Sequence, residues 1–443
     1  MVKEDRGKLK EVLVIAYGFP PVGGSAAIRT LKFCKYLPQF FWKPVVLTVK
    51  KPRVFDRDPS LLEDLPKDIE VYRTATIELP YSLYKTDKDS GKGYNPRFSR
   101  LRRFLSSIFR KARYTLLIID ERIGWVPFVI LSGLKIIRKK KDIKLIYISV
   151  KPFSSLLAAI FLRKLTRLPL VIDFRDAWTG FNRYFWEGKP AYFRRIEGFI
   201  ERLAVQGADK IISVNENIIK DLRNKYISCP RDKFVYIPNG YDPQDFEGGV
   251  LGSPKDVFRI SYAGSLYAKR SPENFLNALK VLLKKNPHLK DRLRFEYIGK
   301  VTAANGGFFE DEEIKQVIEL CGVLPYKECL NRIRASNLLL FIEDQVEISD
   351  RLFPSKIFEY VASVKPILAL AKNGPVSDFI QRTNSGVVLD YRDVIGIKEE
   401  LFSFIKGEHR NSIPSDSKKE ILSDYSREAL TKSLALVFDG LAR

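Results

Sequence analysis

Two copies of one local pattern, a short apolar run that ends in glycine, constrain the fold of this chain most strongly. The first copy runs over residues 12–16 and continues to Gly23 and Gly24 before a helical pattern begins. The second copy covers residues 259–263 and ends at Gly264. A strand, a glycine turn and a helix form the repeating unit of nucleotide-binding α/β folds. We therefore expect two Rossmann-like halves, with a ligand in the cleft between them.

Length and composition agree with two folded domains. The chain has 443 residues, and a single hydrophobic core stops growing at roughly 250–300. Apolar residues make up 45% and charged residues 29%, as in soluble globular proteins. Every apolar stretch is far shorter than the roughly 20 residues of a membrane span, and the basic start lacks a cleavage site. We predict a cytosolic protein whose first strand is residues 12–16.

Strand and helix patterns alternate along both halves, which predicts two doubly wound parallel sheets. In the first half, strands are predicted at 12–16, 44–49, 69–73, 116–119, 145–150, 170–173, 210–214 and 234–237, and helices at 26–37, 154–165 and 194–206. In the second half, strands are predicted at 259–263, 293–298, 337–341, 367–371 and 387–389. Its helices are predicted at 272–285, 310–319, 326–335, 355–363, 377–382 and 426–441. Residues 247–256 are predicted to form a linker.

Cysteine, histidine and charge exclude several classes of site. The four cysteines are scattered without metal-ligand spacing, so we expect reduced thiols. His288 and His409 lie in polar turns and are the only histidines, which argues against a zinc site or a histidine triad. The net charge of +23 attracts anions, whether nucleic acid, anionic lipid or a phosphorylated substrate.

The two glycine turns are candidate phosphate sites. Gly23 and Gly24 lie where a strand meets a helix, and backbone N–H groups at such a point bind anions. Gly264 and Ser265 are followed by Lys269 and Arg270 just before the next helix, and two cations there suit a diphosphate. The alternatives are a tight turn without ligand in the first case and a solvated basic turn in the second.

A third candidate is the start of the helix predicted over 355–363. Ser355 is in the position of an N-cap, and Lys356 begins the helix. Glu359 lies in its first turn, where a carboxylate can accept hydrogen bonds from both ribose hydroxyls while Lys356 contacts phosphate. An ordinary capped helix with a surface glutamate is the alternative.

Charges at the end of the strand over 170–173 form a fourth candidate, because ligands of open α/β sheets bind at the carboxyl ends of strands. Arg175 and Asp176 follow Asp173 there. A buried arginine–aspartate pair that holds a loop is the alternative. Tyr17 and Trp178 could stack on an acceptor, although the residues themselves favour core packing for both.

A basic amphipathic helix is predicted over residues 97–113. Apolar side chains recur there at helical spacing, and Arg100, Arg102 and Arg103 belong to its basic side. Such a helix is typical of proteins that bind anionic lipid, each cation contributing about 1 kcal/mol. The alternative is a helix docked on its own domain with a solvated basic face.

Taken in order, several motifs resemble family 4 glycosyltransferases. They are residues 17–24 with Arg29, 173–178, 237–240, 262–266 and 354–360, followed by 365–367. The resemblance covers most of the chain apart from residues 77–113. It implies the GT-B fold, in which two Rossmann-like domains face a cleft and the last helix crosses back to the first domain.

The resemblance also implies an activity: retaining, metal-independent sugar transfer from a nucleotide-sugar, of the bacterial cell-surface polysaccharide type and without a cofactor. Arg270 then matches the donor-phosphate lysine, with Lys269 beside it, and Glu359 matches the ribose ligand. Gly23, Gly24, Gly264, Ser265, Ser355 and Lys356 would line the donor, and Arg175 and Asp176 would be catalytic. Tyr17, Arg29 and Trp178 would face the acceptor.

Three positions depart from the family pattern: Arg351 replaces the first glutamate of the Glu-x7-Glu motif, Ser265 an arginine, and Arg175 a histidine. On this basis residues 1–246 are the acceptor-side domain, with a helix at about 420–443 packed back on it, and residues 257–419 bind the nucleotide-sugar. The predicted acceptor is a lipid-linked or cell-envelope glycan at the inner face of the membrane. The alternatives are a basic module that binds membrane or nucleic acid, although no nucleic-acid motif is present, and a GT-B sugar-nucleotide epimerase.

Overall fold

The chain is described by a computed structural model that covers residues 9–52, 57–78, 119–179, 191–248, 256–267, 269–302, 305–346, 349–408 and 416–442. It divides into two compact units. Unit 1 comprises Met1–Pro238 and Glu428–Arg443, and unit 2 comprises Asn239–Arg427. The predicted boundary at residue 246 lies within unit 2.

Unit 1 is built on a seven-stranded sheet in which every pairing is parallel. Its strands are β1 (Lys10–Ala16), β2 (Trp42–Val49), β3 (Glu70–Thr74), β4 (Ile143–Val150), β5 (Leu170–Phe174), β6 (Lys210–Ser213) and β7 (Phe234–Tyr236). They lie in the order β3-β2-β1-β4-β5-β6-β7. The described helices between them are α1 (Ser25–Tyr36), α2 (Val126–Lys139), α3 (Ser155–Thr166), α4 (Ala191–Gly207) and α5 (Glu216–Lys225).

Unit 2 repeats this plan with six parallel strands in the order β10-β9-β8-β11-β12-β13. The strands are β8 (Phe258–Ala263), β9 (Leu293–Ile298), β10 (Ile318–Leu320), β11 (Leu338–Ile342), β12 (Ile367–Leu370) and β13 (Gly386–Leu389). Its helices are α6 (Glu273–Lys285), α7 (Leu289–Arg292), α8 (Tyr326–Ala335), α9 (Lys356–Ala362), α10 (Pro375–Arg382), α11 (Val394–Lys406) and α12 (Asp416–Ser423). The last helix, α13 (Arg427–Asp439), belongs almost entirely to unit 1.

Both faces of each sheet are covered, which is why the strands are almost continuously apolar. In β1, Leu13 and Ile15 join the core under α2 to α5, while Val12 and Val14 join the core under α1 and α13. Phe438 of α13 packs edge-on against the Trp42 ring, with the centroids 5.3 Å apart. The predicted fold class, a doubly wound parallel α/β fold in two halves, is confirmed.

Strand order reverses between β1 and β4 in unit 1 and between β8 and β11 in unit 2. Open α/β sheets bind ligands beyond the carboxyl ends of the strands at such a reversal. The loops that follow β1, β4, β8 and β11 are therefore where the candidate site residues should be found.

Several predictions about single elements were wrong or incomplete. The helix predicted over 310–319 is wrong, because short 3₁₀ turns there lead into the edge strand β10. Helices α2, α5 and α11 were not predicted. Most of the strand predicted at 116–119, and the whole helix predicted at 97–113, lie outside the described residues. Within the described part of the chain, no helix has the length and apolar character needed to cross a bilayer.

Candidate functional site

The loop after β8 is shaped by two glycines. Gly264 has a φ of +129°, in the region that glycine alone adopts easily, and its N–H donates to the Ile298 carbonyl oxygen at 2.9 Å. Gly299 lies directly behind it, since a Cβ at residue 299 would be 2.3 Å from the Gly264 carbonyl oxygen. The end of β9 thus fixes the path of the loop, which leaves Gly264 and Ser265 exposed.

Arg270 is held at the reversal point of the second sheet by Asp344, which follows β11. Its Nη2 donates to Asp344 Oδ2 at 2.8 Å, and its guanidinium lies over the Tyr267 ring, 5.3 Å from the centroid. The Tyr267 hydroxyl donates to the other oxygen of Asp344 at 2.7 Å. The Nε of Arg270 is buried and has no hydrogen-bond partner among the described residues.

The loops after β8 and β11 are also joined through their backbones. The N–H of Gln345 donates to the carbonyl oxygen of Lys269 at 2.6 Å. Lys269 is partly buried beside Arg270. The backbone at Lys269 and the side chain of Arg270 are therefore both bound to the neighbouring strand end, so this turn is not free.

Lys356 brings a second positive charge to the same place from the first turn of α9. Its Nζ lies 3.4 Å from the Ala263 carbonyl oxygen, 4.1 Å from the Tyr262 ring centroid and 4.9 Å from that of Phe341. Burial lowers the pKa of Lys356 well below its ordinary value, and the Arg270 charge lowers this pKa further. An ammonium has three donors, and within the described part of the chain this one has a single long hydrogen bond. The site therefore favours an incoming anion.

Glu359 lies one turn further along α9 and is almost completely buried. The Tyr326 hydroxyl, on α8, lies 3.1 Å from Glu359 Oε1 and 3.1 Å from Asp245 Oδ2. Burial and these two carboxylates raise the pKa of Tyr326 well above its ordinary value, so the phenol remains a donor. Ser355 precedes the helix as predicted, but its side chain makes no capping hydrogen bond.

In unit 1, the glycine turn after β1 leads into α1. Gly24 has a φ of +90° and occupies the N-cap position, where its carbonyl oxygen accepts from the N–H groups of Ala27 and Ile28. Gly23 is partly buried and Gly24 is exposed. The first backbone N–H groups of α1 are thus presented beyond the carboxyl end of β1, where the sequence predicts donor phosphate.

The prediction that Arg29 faces the acceptor is wrong. Its side chain is completely buried, and Nε donates to Asp173 Oδ2 at 2.8 Å. Its two terminal nitrogens donate to the carbonyl oxygens of Pro238 and Ile237, at 2.6 and 2.9 Å. The Tyr147 hydroxyl donates to the same Asp173 oxygen at 2.6 Å. Arg29 therefore fastens α1 to the ends of β5 and β7 and is unavailable to a substrate.

Arg175 and Asp176 follow β5, on the carboxyl side of the sheet. Arg175 Nε donates to the Val150 carbonyl oxygen at 2.9 Å, and burial lowers the pKa of Arg175. Asp176 forms an ion pair with Lys151 at 2.9 Å. Burial alone would raise the pKa of Asp176. The positive charges of Lys151 and Arg175 have the larger combined effect and lower this pKa below its ordinary value, so the carboxylate stays ionised. Both side chains are partly exposed at this strand end.

Tyr17 and Trp178 are core residues. The Tyr17 hydroxyl donates to Glu78 Oε1 at 2.6 Å, and its ring packs edge-on against Trp125. Trp178 is stacked on Phe153, with the rings 4.5 Å apart and nearly parallel. The prediction that they face the acceptor is therefore corrected to the packing alternative, because both side chains are buried.

The remaining predicted residues divide into described and undescribed ones. Arg100, Arg102, Arg103 and His409 lie outside the described residues, and His288 lies in the turn before α7. The described part of the chain contains no group of three or more histidine, cysteine, aspartate or glutamate side chains arranged to hold a metal. All four cysteines are free thiols.

Sequence comparison finds a known family over part of the chain. Residues 93–245, about a third of the chain, match the sequence profile described as Glycosyltransferase Family 4. A stretch of 120 residues is 29% identical to the D-inositol 3-phosphate glycosyltransferase of Stackebrandtia nassauensis. That stretch spans 26% of this chain and 26% of that protein, so the relative covers only about a quarter of either.

Structure comparison extends the likeness to nearly the whole fold. A glycosyltransferase from Rickettsia africae superposes with a TM-score of 0.62 at 14% identity, covering 98% of each chain. Anabaena HepE, solved with UDP-glucose, superposes with a TM-score of 0.61 at 13% identity, covering 98% of this chain and 100% of that one. The fold of this chain is thus GT-B.

Three residues of the candidate site were missed by sequence reasoning. Asp344 and Tyr326 have no local motif, because their partners come from other strands and helices. Gly299 carried a usable signal, since it is a glycine directly after a predicted strand. Each of the three supports a predicted residue: Asp344 holds Arg270, Tyr326 contacts Glu359, and Gly299 makes room for the turn at Gly264.

Proposed function

We propose that this protein is a retaining, metal-independent hexosyltransferase of glycosyltransferase family 4. It moves a sugar from a nucleotide-sugar to a lipid-linked or cell-envelope glycan in polysaccharide biosynthesis. The proposed place of action is the cytoplasmic side of the membrane, with peripheral attachment. The observation that carries the donor assignment is the convergence of Arg270 and Lys356 beside the turn at Gly264, with Glu359 on the next turn of α9.

The chemistry of a nucleoside diphosphate fits this arrangement. The diphosphate oxygens can accept hydrogen bonds from Arg270 and Lys356. The ribose hydroxyls can donate hydrogen bonds to the Glu359 carboxylate. The exposed backbone at Gly264 and Ser265 lets the phosphates approach the main chain. Two fixed cations can neutralise the diphosphate without a bound metal.

The same cations act on the reaction itself. As the bond between the anomeric carbon and the phosphate oxygen breaks, negative charge grows on the departing diphosphate. Positive groups already fixed at that position stabilise the transition state more than the ground state. In the proposed retaining step, the acceptor hydroxyl attacks the face that the diphosphate leaves, and its proton passes to the departing phosphate oxygen. Arg175 and Asp176 are the proposed catalytic residues of unit 1.

A thermal-shift screen tests the donor assignment. UDP, GDP, ADP and CMP are added to the full chain with and without EDTA, and a ligand at about 100-fold excess over Kd adds about 2.7 kcal/mol of stability. We expect one nucleotide class to raise the melting temperature, and EDTA should not change this rise. In the Arg270→Ala variant the same nucleotide should raise the melting temperature much less. Arg392→Ala is the matched control, since this arginine is highly exposed and pairs with Asp390.

Two results would contradict the proposal. One is a chain that none of the nucleotides stabilises, and the other is stabilisation that disappears with EDTA. Retention is tested separately by the anomeric configuration of the first-formed product in proton NMR. Inversion there would overturn the stereochemical part alone and leave the donor assignment standing.

A further inference from the structure

Three neighbouring helices of unit 1 present large apolar side chains to solvent. On α2, α3 and α4, Leu131, Phe161, Leu165 and Phe199 are 67, 52, 59 and 57% exposed. Tyr192 and Leu203 of α4 are also exposed. A protein surface normally shows single, scattered apolar side chains, whereas these six are concentrated on three neighbouring helices. We name them, with the basic residues between them, the α2–α4 face.

Two contacts between the helices show that these side chains lie at a similar level. Gly133 of α2 packs closely against Leu162 of α3, where a Cβ would come within 2.8 Å of the leucine side chain. At the end of α3, Arg163 Nε donates to the Gly207 carbonyl oxygen at the end of α4, at 2.9 Å. Leu131 and Phe161 are two residues and one residue from the first contact in sequence, and Leu165 and Leu203 are two and four residues from the second.

The charges of the α2–α4 face have one sign. The exposed charged side chains on the three helices are all lysine or arginine, including Lys135, Arg138, Lys164, Arg195 and Arg202. The only two acidic residues of these helices, Glu197 and Glu201, are buried. Glu201 is fully engaged, since its carboxylate accepts from Thr179, Tyr226 and Lys225.

The carboxylate that follows α4 in sequence is also engaged in the fold. Asp209, just after α4, accepts from Arg163 at 3.0 Å and from the Leu170 N–H at 2.7 Å. Basic side chains interleaved with exposed aromatic and leucine side chains fit the interface of an anionic bilayer. The core of a protein–protein interface is instead depleted in charged residues, lysine among them.

We infer that the α2–α4 face docks this protein on an anionic membrane, with its apolar side chains at the acyl boundary and its cations among the headgroups. This site is distinct from the basic segment at 97–113. The inference adds a partner to the proposed function and in that sense rests on it, but it is argued from the three helices alone.

Vesicle co-sedimentation of the full chain tests the inference. The vesicles are phosphatidylcholine alone and phosphatidylcholine mixed with phosphatidylglycerol. We expect binding to the anionic vesicles only. The triple variant Lys135→Gln, Lys164→Gln, Arg202→Gln should bind about 100-fold more weakly, since each cation near an anionic surface contributes about fivefold. The triple variant Leu131→Ser, Phe161→Ser, Phe199→Ser should lose about tenfold or more.

Matched controls separate the α2–α4 face from general effects. The double variant Val323→Ser, Ile395→Ser removes apolar side chains that are 58 and 68% exposed in unit 2, and it should bind vesicles like the wild type. The side chains substituted in these variants are exposed. Circular dichroism of each variant checks that it is folded. The two triple variants change different residues, so the test remains possible if only one of them folds.

Three results would overturn the inference. The first is equal binding to both kinds of vesicle or to neither. The second is unchanged binding by both face variants, with loss only in Arg100→Gln, Arg102→Gln, Arg103→Gln. The third is wild-type self-association that the apolar variant abolishes while vesicle binding stays unchanged. Nucleotide binding by the same samples is scored separately, so its failure would reject the proposed donor site without touching the membrane result.

Discussion

Lys356→Met should have opposite effects on stability and on ligand affinity. The Lys356 ammonium lies between two aromatic rings beside the Arg270 charge, and among the described residues its one hydrogen bond is a long one to the Ala263 carbonyl oxygen. Methionine has a similar shape and no charge, so it removes the electrostatic cost of the free site. We expect the ligand-free variant to unfold at a higher temperature than the wild type.

The affinity for a nucleoside diphosphate should fall in the same variant. A hydrogen bond to a charged group contributes about 1.5–3 kcal/mol, so losing one contact from Lys356 to phosphate weakens binding about 10- to 150-fold. Isothermal titration calorimetry measures this loss. Lys284→Met is the matched control, since that lysine is exposed on α6 and pairs only with Glu313.

The protonation of Lys356 gives a second, independent readout. Its lowered pKa means that the unfolded chain binds more protons than the folded one between that value and the ordinary 10.5. Stability of the wild type should therefore rise with pH through this window, and Lys356→Met should flatten the rise. A bound diphosphate raises the pKa again, so binding takes up a proton and weakens as pH rises. A variant that is less stable than the wild type and binds the nucleotide equally well would refute this reasoning.

Three further substitutions test the surroundings of the site. Asp173→Asn leaves the fully buried Arg29 without its charge partner, so urea denaturation should show that the free energy of unfolding falls by about 3–5 kcal/mol. A fall below about 1 kcal/mol would contradict the role of this ion pair in holding α1 to β5. Tyr326→Phe removes a donor to Glu359, and calorimetry should show weaker nucleoside diphosphate binding with little change for inorganic diphosphate; equal weakening of both would be evidence against this positioning role. Gly299→Ala forces the loop after β8 outward, so nucleotide binding should fail while the far-ultraviolet circular dichroism remains; normal binding would mean that the loop path is unimportant.

Sequence patterns predicted the parallel strands well because both faces of each sheet are buried. Strands such as β4 and β11 are mostly apolar along their whole length, a pattern typical of strands covered on both faces. The edge strand β10 escaped because it has only three residues, none of them fully buried. Ile314, Val317 and Ile318 fall at a spacing that also suits a helix, and the pairing of β10 with β9 decides between the two.

The site was predicted only as far as local motifs reach. Arg270, Lys356 and Glu359 stand in short motifs that a reader of the sequence can find. Arg29 stands in a motif as well, yet its partners Asp173 and Pro238 are more than a hundred residues away, and only the fold turns its side chain inward. Long-range contacts of this kind decide whether a charged residue faces a ligand or holds the scaffold.

The α2–α4 face was beyond sequence reasoning for a related reason. Helix α2 was not predicted at all, and α3 and α4 read as ordinary helices of the sheet. Their exposed apolar side chains become one surface only when α2 packs on α3 and α3 on α4. Burial of Glu197 and Glu201, which gives the face a single sign of charge, is likewise a property of the packed structure.

The central claim is that unit 2 binds the ribose and diphosphate of a nucleotide-sugar through Glu359 and Arg270. The most direct test is calorimetry with the nucleoside diphosphate that stabilises the chain and with its 2′,3′-dideoxy analogue, in wild type and Glu359→Ala. The account predicts that the wild type binds the analogue at least about tenfold more weakly, and that the variant binds both equally. If the variant discriminates as well as the wild type, Glu359 does not contact the ribose and the proposed donor site is wrong.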